Sequence, residues 1–451
     1  MGRELTYPPA DWEASDLERV RRFHLHYGEE ILGCARSSEP ALLDVARRAL
    51  ASWIERNPPA RGDAWHPYTV STRVGNWIAA LALEPALGGS EVNESLWRQL
   101  AYLERNVEHD ILGNHLIRNA RALILGGLAF DQQRLVRRGI ALLEGELPEQ
   151  ILADGGHYER SPVYHAIVLR DLLEVRAAAG LDTLDATIDR MLQFAAATTR
   201  PDGVPALFND GTRELAPDLR MLHPPQNDGL AIFAETGYAV LRTGSVWLAL
   251  DCGPPAPHFL PPHAHADALS FQLWVDGRPV VVDPGTPTYE PGPLRNRCRS
   301  TSSHATVTVD ARDQFLLWGA FRAGRLPRVK LMDVSGTASS GTVVAAAWKF
   351  EPLPGLRHER RISWNADCID VDDQLTGRER RLLESRLPLP PGTSPDSVPV
   401  EPRDGDHHVE SGEVAEELFA PQPAPVLVAR RRSSLPASLG WRIRLAAKGL
   451  A

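Results

Sequence analysis

Apolar residues recur at helical spacing through the first half of the chain. Over residues 114–130, Leu116, Ile117, Ala120, Leu123, Ile124 and Leu128 share one stripe of a helix. Residues 162–179 open with Ser161-Pro162, a capping residue followed by proline at the first helical position, and close at Gly180. Val163, Ile167, Val168, Leu172 and Val175 run along that segment. No persuasive alternating run precedes about residue 225. Successive helix–loop–helix units predict an α/α layered or toroidal array.

The pattern changes near Tyr238. Residues 246–250 form a short apolar run, and residues 269–275 and 279–282 flank Asp276-Gly277. Asp-Gly between two strand-like runs is a strong hairpin signal. A two-residue turn there predicts Val275 opposite Arg278 and Ser270 opposite Asp283. Residues 305–309 and 361–371 alternate as strands do, whereas residues 387–425 are rich in proline and acid and are expected to lie loosely at an edge. At 451 residues the chain exceeds one ordinary core. The expectation is an α+β two-domain protein, helical over 1–225 and an antiparallel β-sandwich over 226–451, with a cleft between them.

A net charge of −9 argues against a nucleic-acid partner and means that an acidic ligand would need a local cluster of arginines. Cys34, Cys252, Cys298 and Cys368 contain no CxxC pair, so a disulfide framework or thiolate zinc site is not expected. No apolar run of about 18 residues suggests a membrane span. The opening residues show no signal peptide, so the chain reads as cytoplasmic, or as periplasmic or secreted if a leader was removed.

The densest polar cluster is His263-Ala264-His265-Ala266-Asp267, just before the hairpin. Asp283 ends the second hairpin strand and His304 follows in Ser302-Ser303-His304. Two imidazoles and a carboxylate suit Zn²⁺ with a water or another ligand in fourth position, although unrelated polar residues at strand ends would look the same. In the helical half, Asn114-His115 heads an apolar helix, where plain capping also explains the asparagine. Tyr164 falls in the first turn of its helix, beside His165, in Tyr158-Glu159-Arg160-Ser161-Pro162-Val163-Tyr164-His165, where simple aromatic packing is the alternative.

Together these stretches resemble the heparinase II/III-like polysaccharide lyases. The resemblance rests on Asn114-His115, on the run from Asp154 to His165, on HAHADALSF at 263–271, on Val282-Asp283-Pro284-Gly285 and on RSTSSHATV at 299–307. Trp65-His66-Pro67-Tyr68 with Ser71, Arg73, Asn76 and Trp77 resembles the family's opening helical region. The resemblance implies an incomplete (α/α) toroid followed by an antiparallel β-sandwich. It assigns catalysis to Asn114, His115, Tyr164 and His263, and a metal to His265, Asp283 and His304. That metal is expected to be one structural divalent ion, Zn²⁺ first, with Mn²⁺ or Ca²⁺ as alternatives. Ala305 stands where family members often carry asparagine, which removes support from behind His304.

The implied reaction is β-elimination on a uronic-acid-containing, anionic polysaccharide. Asn114 would neutralise the uronate carboxylate and Tyr164 would protonate the departing oxygen. The base would be Tyr164 for syn or His263 for anti elimination. Arg118, Arg160 and Arg299 are expected to contribute substrate-binding charge, with Arg121, Arg295 and Arg297 as further candidates. The net acidity favours a lightly charged uronate polymer such as alginate, a hyaluronan-like chain or a bacterial exopolysaccharide. Two alternatives compete: a glycan-binding protein without turnover, and a glycoside hydrolase using Glu159 with Asp210.

Overall fold

The computed structural model describes residues 7–445. Helices dominate first: Pro40–Arg56, Pro67–Leu83, Ser90–Arg105, Asn114–Ala129, Gln133–Gln150, Pro162–Ala179 and Asp185–Thr198. The first strand is Gly229–Phe233, so the secondary structure changes where the patterning places it. Packing divides the chain differently from the expected 1–225 and 226–451. One compact unit holds residues 7–150 with Val168–Ile188, and the other holds Ile151–Ile167 with the chain from Asp189 onward. None of the described helices is long and apolar enough to cross a membrane.

The helical unit buries Trp53, Trp65, Trp77, Val74, Leu96, Leu100 and Leu123 in one core. Its helices approach closely because glycine occupies the contacts. A Cβ on Gly139 would sit 2.6 Å from Ile124 Cγ1 and 2.7 Å from the Ala120 carbonyl oxygen. Gly139 therefore fixes how Gln133–Gln150 seats against Asn114–Ala129, the helix headed by Asn114-His115.

The second unit contains three larger antiparallel sheets. Five strands follow in chain order: Gly229–Phe233, Tyr238–Arg242, Val246–Asp251, Phe271–Val275 and Arg278–Val281. A six-stranded sheet runs, in spatial order, Val400–Pro402, Ala437–Arg444, Cys368–Thr376, Arg357–Trp364, Gly341–Trp348 and Arg328–Gly336. A four-stranded sheet orders Asp406–Val414, Gln422–Ser434, Arg380–Pro388 and Val307–Val309. Phe271, Leu273, Val343, Ile369, Leu383, Trp441 and Ile443 bring residues of all three into one core.

Two expectations are corrected. Asp276 (φ 50°) and Gly277 (φ 72°) do form a tight turn with Val275 opposite Arg278. A register shift between Leu273 and Trp274 then puts Leu273 opposite Val281, so Ser270 does not face Asp283. Residues 387–425 are not a loose edge, since they include Val400–Pro402, Asp406–Val414 and the start of Gln422–Ser434. Their prolines fall at strand ends and near the start of the long strand, where a missing N–H is tolerated.

A buried ion cluster anchors the segments that carry the site. Asp373 accepts from Arg360 Nε (2.7 Å) and Nη2 (2.8 Å), His358 Nε2 (2.7 Å) and Ser385 Oγ (2.9 Å). Arg360 Nη1 donates to the carbonyls of Leu269 (2.7 Å) and Ala305, beside Asp267 and His304.

The glycine contact gives a prediction with an unusual sign. Helix propensity alone favours Gly139→Ala by about 1 kcal/mol. The new methyl would meet a backbone carbonyl that cannot move aside cheaply, and overpacking of this kind costs about 1–3 kcal/mol. Gly139→Ala should therefore lower stability in denaturant titration, and a gain would contradict the close-packed helix pair.

Candidate active site

The site of the second unit is assembled around the loop Asn209-Asp210-Gly211. Asn209 takes a left-handed conformation (φ 59°), tolerated by asparagine better than by most residues. Its side chain joins three segments: Nδ2 donates to the carbonyls of Arg160 (3.0 Å) and Pro255 (3.1 Å), and Oδ1 accepts from the amide of His265 (3.0 Å). Ser161 Oγ donates to the Asp210 carbonyl (2.6 Å) and accepts from the amide of Tyr164 (3.2 Å), so the same contact starts the helix and ties it to the loop. Gly211 lies against Val163, where a Cβ would come within 2.7 Å of Cγ2.

Asp210 is fully buried and serves four side chains. Arg295 grips both carboxylate oxygens, with Nη2 to Oδ2 at 2.7 Å. Oδ2 also pairs with His263 Nδ1 (3.0 Å), and Oδ1 with His265 Nε2 (2.9 Å) and Thr286 Oγ1 (3.4 Å). Burial alone would raise its pKa, but Arg295 and the two histidines outweigh that and hold it well below the usual carboxylate range. An ionised carboxylate only accepts, so both imidazole nitrogens facing it carry hydrogen. The neutral tautomer this contact selects for His263 has its lone pair on Nε2, and His265, kept neutral by burial, has its lone pair on Nδ1.

The Tyr164 and His263 rings are in direct contact, with centroids 4.1 Å apart at 30°. His263 Nε2 lies 3.9 Å from Glu159 Oε2. The Tyr164 hydroxyl shares a hydrogen bond with that of Tyr289 (3.2 Å). Tyr289 in turn has Arg295 Cζ 5.2 Å from its ring centre and Phe321 stacked at 6.0 Å. Burial raises the Tyr289 pKa, and the Asp210 charge adds to it, so Tyr289 keeps its proton. His165, next to Tyr164, bonds the Met191 carbonyl (3.0 Å) and is held neutral by burial, with a pKa lowered to about 3.

Metal-binding capacity sits next to this group. Asp267, Asp283 and His304 are buried and place ligand-capable atoms within 4.8 Å of one another. His304 Nδ1 lies 3.0 Å from Asp283 Oδ2, which turns the other ring nitrogen towards ligation. His304 Nε2, His265 Nδ1 and both oxygens of Asp267 are buried without a hydrogen bond of good geometry. The rings of His265 and His304 are 5.3 Å apart. Burial, and then the Asp283 charge against the opposing His304, raise the Asp267 pKa to about 7. Buried polar atoms without a protein partner are the signature that a cation would relieve, and this donor set fits a divalent metal. Of the expected ligands Asp283 and His304 converge, Asp267 joins them, and His265 stands beside the group while also bonding Asp210.

In the helical unit, Asn114 is buried as the first residue of its helix. Gly113 holds the cap position at φ 61°, with no side-chain cap bond, so capping does not account for Asn114. His115 Nδ1 pairs with Glu108 Oε1 (2.8 Å), and its ring lies 4.4 Å from that of Tyr68. Glu108 Oε2 accepts from Asn119 Nδ2 (2.9 Å).

The three arginines expected to bind substrate all make contacts within the protein. Arg118 is buried in an ion pair with Asp171 (2.7 Å). Arg160 donates to the Thr236 carbonyl. Arg299 is buried and donates to the carbonyls of Ala264 (3.1 Å) and Ala320 (3.1 Å). Sequence reasoning missed Asp210 as an orienting group, Asp267 as a ligand candidate and Tyr289 altogether. The Asn-Asp-Gly turn and the third polar position of His263-Ala264-His265-Ala266-Asp267 were the available signals.

Comparison with known proteins identifies the family and the fold. The heparinase II/III N-terminus model matches residues 47–233 and the heparinase II/III-like C-terminal model residues 225–435. The chain belongs to the heparinase II/III family. It is 24% identical over 323 residues to the heparin-sulfate lyase of Pedobacter heparinus, covering 59% of this chain and 48% of the relative. It is 23% identical over 362 residues to the FtsZ-localized protein C of Caulobacter vibrioides, covering 75% of this chain and 60% of that protein. The chain thus spans about half the length of the curated lyases it matches. A crystal structure of heparinase III superposes with a TM-score of 0.79 at 19% identity, over 97% of this chain and 79% of that one. The fold is the expected incomplete toroid followed by an antiparallel β-sandwich.

Asp210→Ala would leave the Arg295 guanidinium buried and unpaired. Removal of one partner from such a pair costs about 3–5 kcal/mol. Denaturant unfolding should show a loss of that order, and a loss under about 1 kcal/mol, the range of an exposed pair, would show that Asp210 is not the organising charge.

Proposed function

We propose that this protein is a polysaccharide lyase that cleaves a uronic-acid-containing polysaccharide by β-elimination. The observation that carries the reading is the contact of the Tyr164 phenol with a His263 whose tautomer Asp210 dictates. In a uronate the C5 proton is hard to remove because the neighbouring carboxylate is already negative. Asn114, with His115, is assigned to that carboxylate, so that charge can spread into it as the proton leaves. The C5–H and C4–O bonds break, the C4–C5 double bond forms, and the departing oxygen takes its proton from Tyr164. His263 presents a basic Nε2 for anti elimination, while Tyr164 serves as both base and acid for syn elimination.

The hydrolase reading loses one of its two carboxylates. Asp210 is buried, stays ionised and is fully committed to Arg295 and the two histidines. Resemblance to the FtsZ-localized protein C, whose name states a location and not a reaction, keeps a non-catalytic role as the second reading. The two readings part on product formation. Net acidity supports a lightly charged uronate polymer over heavily sulfated heparin.

The metal assignment is one divalent ion held by Asp283 and His304 with Asp267, His265 or both, most naturally Zn²⁺, with Mn²⁺ or Ca²⁺ as the oxygen-preferring alternatives. When bound, the ion would neutralise the buried carboxylates and brace the loop that carries His263. Elemental analysis of protein purified without chelator should find about one equivalent, as a single closed site requires. His304→Ala should lose the ion, and full metal retention in that variant would contradict the assignment.

Incubation with a panel of uronate polymers should give a new ultraviolet band from the unsaturated uronate. Tyr164→Phe keeps the ring and should cut the rate by about 10²–10⁴-fold with folding intact. His263→Ala should cost far less if elimination is syn and as much if it is anti. Near-normal product formation by Tyr164→Phe, on a substrate that the parent cleaves, would remove Tyr164 from the mechanism.

A further inference from the structure

We infer that Phe321 is the stacking platform of a sugar-binding subsite beside the Tyr164–His263 pair. The inference deepens the lyase reading and rests on it. Residues 312–326 carry two kinds of apolar side chain. Phe315 and Leu326 are buried, whereas Leu316 (53% exposed), Trp318 (50%) and Phe321 (44%) face solvent within six positions. Single exposed apolar residues need no explanation, but three on one short hairpin next to a reactive pair do. The hairpin pairs Leu317–Trp318 with Arg322–Ala323 and turns at Gly319 (φ 56°).

The hairpin is held from below at unusual cost. Arg295 Nε donates to the Ala320 carbonyl (3.0 Å), and Arg299 Nη1 to the carbonyls of Ala320 (3.1 Å) and Gly319 (3.4 Å). Arg299 Nη2 reaches the Arg322 carbonyl (3.4 Å). Two buried guanidinium groups thus grip the backbone on both sides of Phe321. Arg295 is the same residue that pairs with Asp210, so one charge cluster sets both the His263 tautomer and the hairpin tip. The Phe321 ring meets His263 edge-on at 6.5 Å, stacks on Tyr289 at 6.0 Å and has Arg295 Cζ at 5.6 Å.

An apolar ring kept in water and braced next to a proton-transfer pair suits a ligand with an apolar face. A pyranose ring has one, formed by its axial C–H groups, and the polymer at this site consists of such rings. Phenylalanine offers neither charge nor hydrogen bond, so the subsite would read the sugar face and ignore sulfate. That matches a net-acidic protein whose Arg118 and Arg299 are buried against partners of its own.

The test uses the full chain and size-defined hexasaccharides of heparosan, hyaluronan and alginate. Binding is measured calorimetrically on the Tyr164→Phe background, where turnover is strongly slowed, and kinetics are measured with Tyr164 intact. Phe321→Ala should weaken binding and raise KM about tenfold, a size typical of losing one apolar–aromatic contact, with kcat within about threefold. Phe321→Tyr should restore both. If Phe321→Ala does not fold, Phe321→Leu, which keeps bulk but lacks a ring face, should show the same loss. Unchanged affinity and KM in a protein that still forms the ultraviolet product would overturn the subsite and leave the lyase reading standing. Absence of both hexasaccharide binding and product in the parent would overturn both.

Discussion

A carboxylate taken out of water costs several kcal/mol unless its lost solvation is replaced. Asp210 meets that demand by collecting Arg295, His263, His265 and Thr286 around one buried charge. The partners come from three segments, the loop of His263 and His265, the stretch of Thr286 and the helix of Arg295, so satisfying the charge also assembles the site. The residue that gives Nε2 of His263 its lone pair also leaves His265 Nδ1 facing away with nothing to bond. Proton chemistry and metal capacity are therefore two sides of one electrostatic constraint.

The same device recurs on a smaller scale. Asp373 gathers Arg360, His358 and Ser385, and Arg360 then clamps the carbonyls of Leu269 and Ala305 behind the metal candidates. In the helical unit Glu108 holds His115 and Asn119. Buried ion clusters contribute little net stability compared with apolar packing. Their value here is positional. They fix where side chains point, which apolar contacts cannot do with the same selectivity.

Much of this was legible in the sequence. Helical periodicity at residues 114–130 and 162–179, the Ser161-Pro162 start and the Asp276-Gly277 turn are local signals, and local structure follows them. The Tyr164–His263 contact was reachable only through family resemblance, because the two residues are far apart in sequence and no local rule unites them. Register beyond the turn was not legible, since a one-residue shift at Leu273/Trp274 leaves no mark in apolar alternation. The internal contacts of the arginines were not legible, because a guanidinium paired inside the protein and one waiting for a polyanion have the same letter. Asp210 was visible but its partners were not. A single carboxylate after asparagine looks like any turn until Arg295 and the two histidines are seen around it.

The central claim is that this site breaks a glycosidic bond by elimination and not by water. Cleavage of a uronate oligosaccharide in heavy-oxygen water, followed by mass analysis of the fragments, tests this directly. Elimination predicts that the fragment from the reducing side of the cleaved bond, which now begins with the unsaturated uronate, is lighter than its hydrolysis counterpart by one water, and that the bond-breaking step introduces no heavy oxygen into either fragment. Fragments that carry one heavy oxygen from cleavage, with no unsaturated end, would contradict the account.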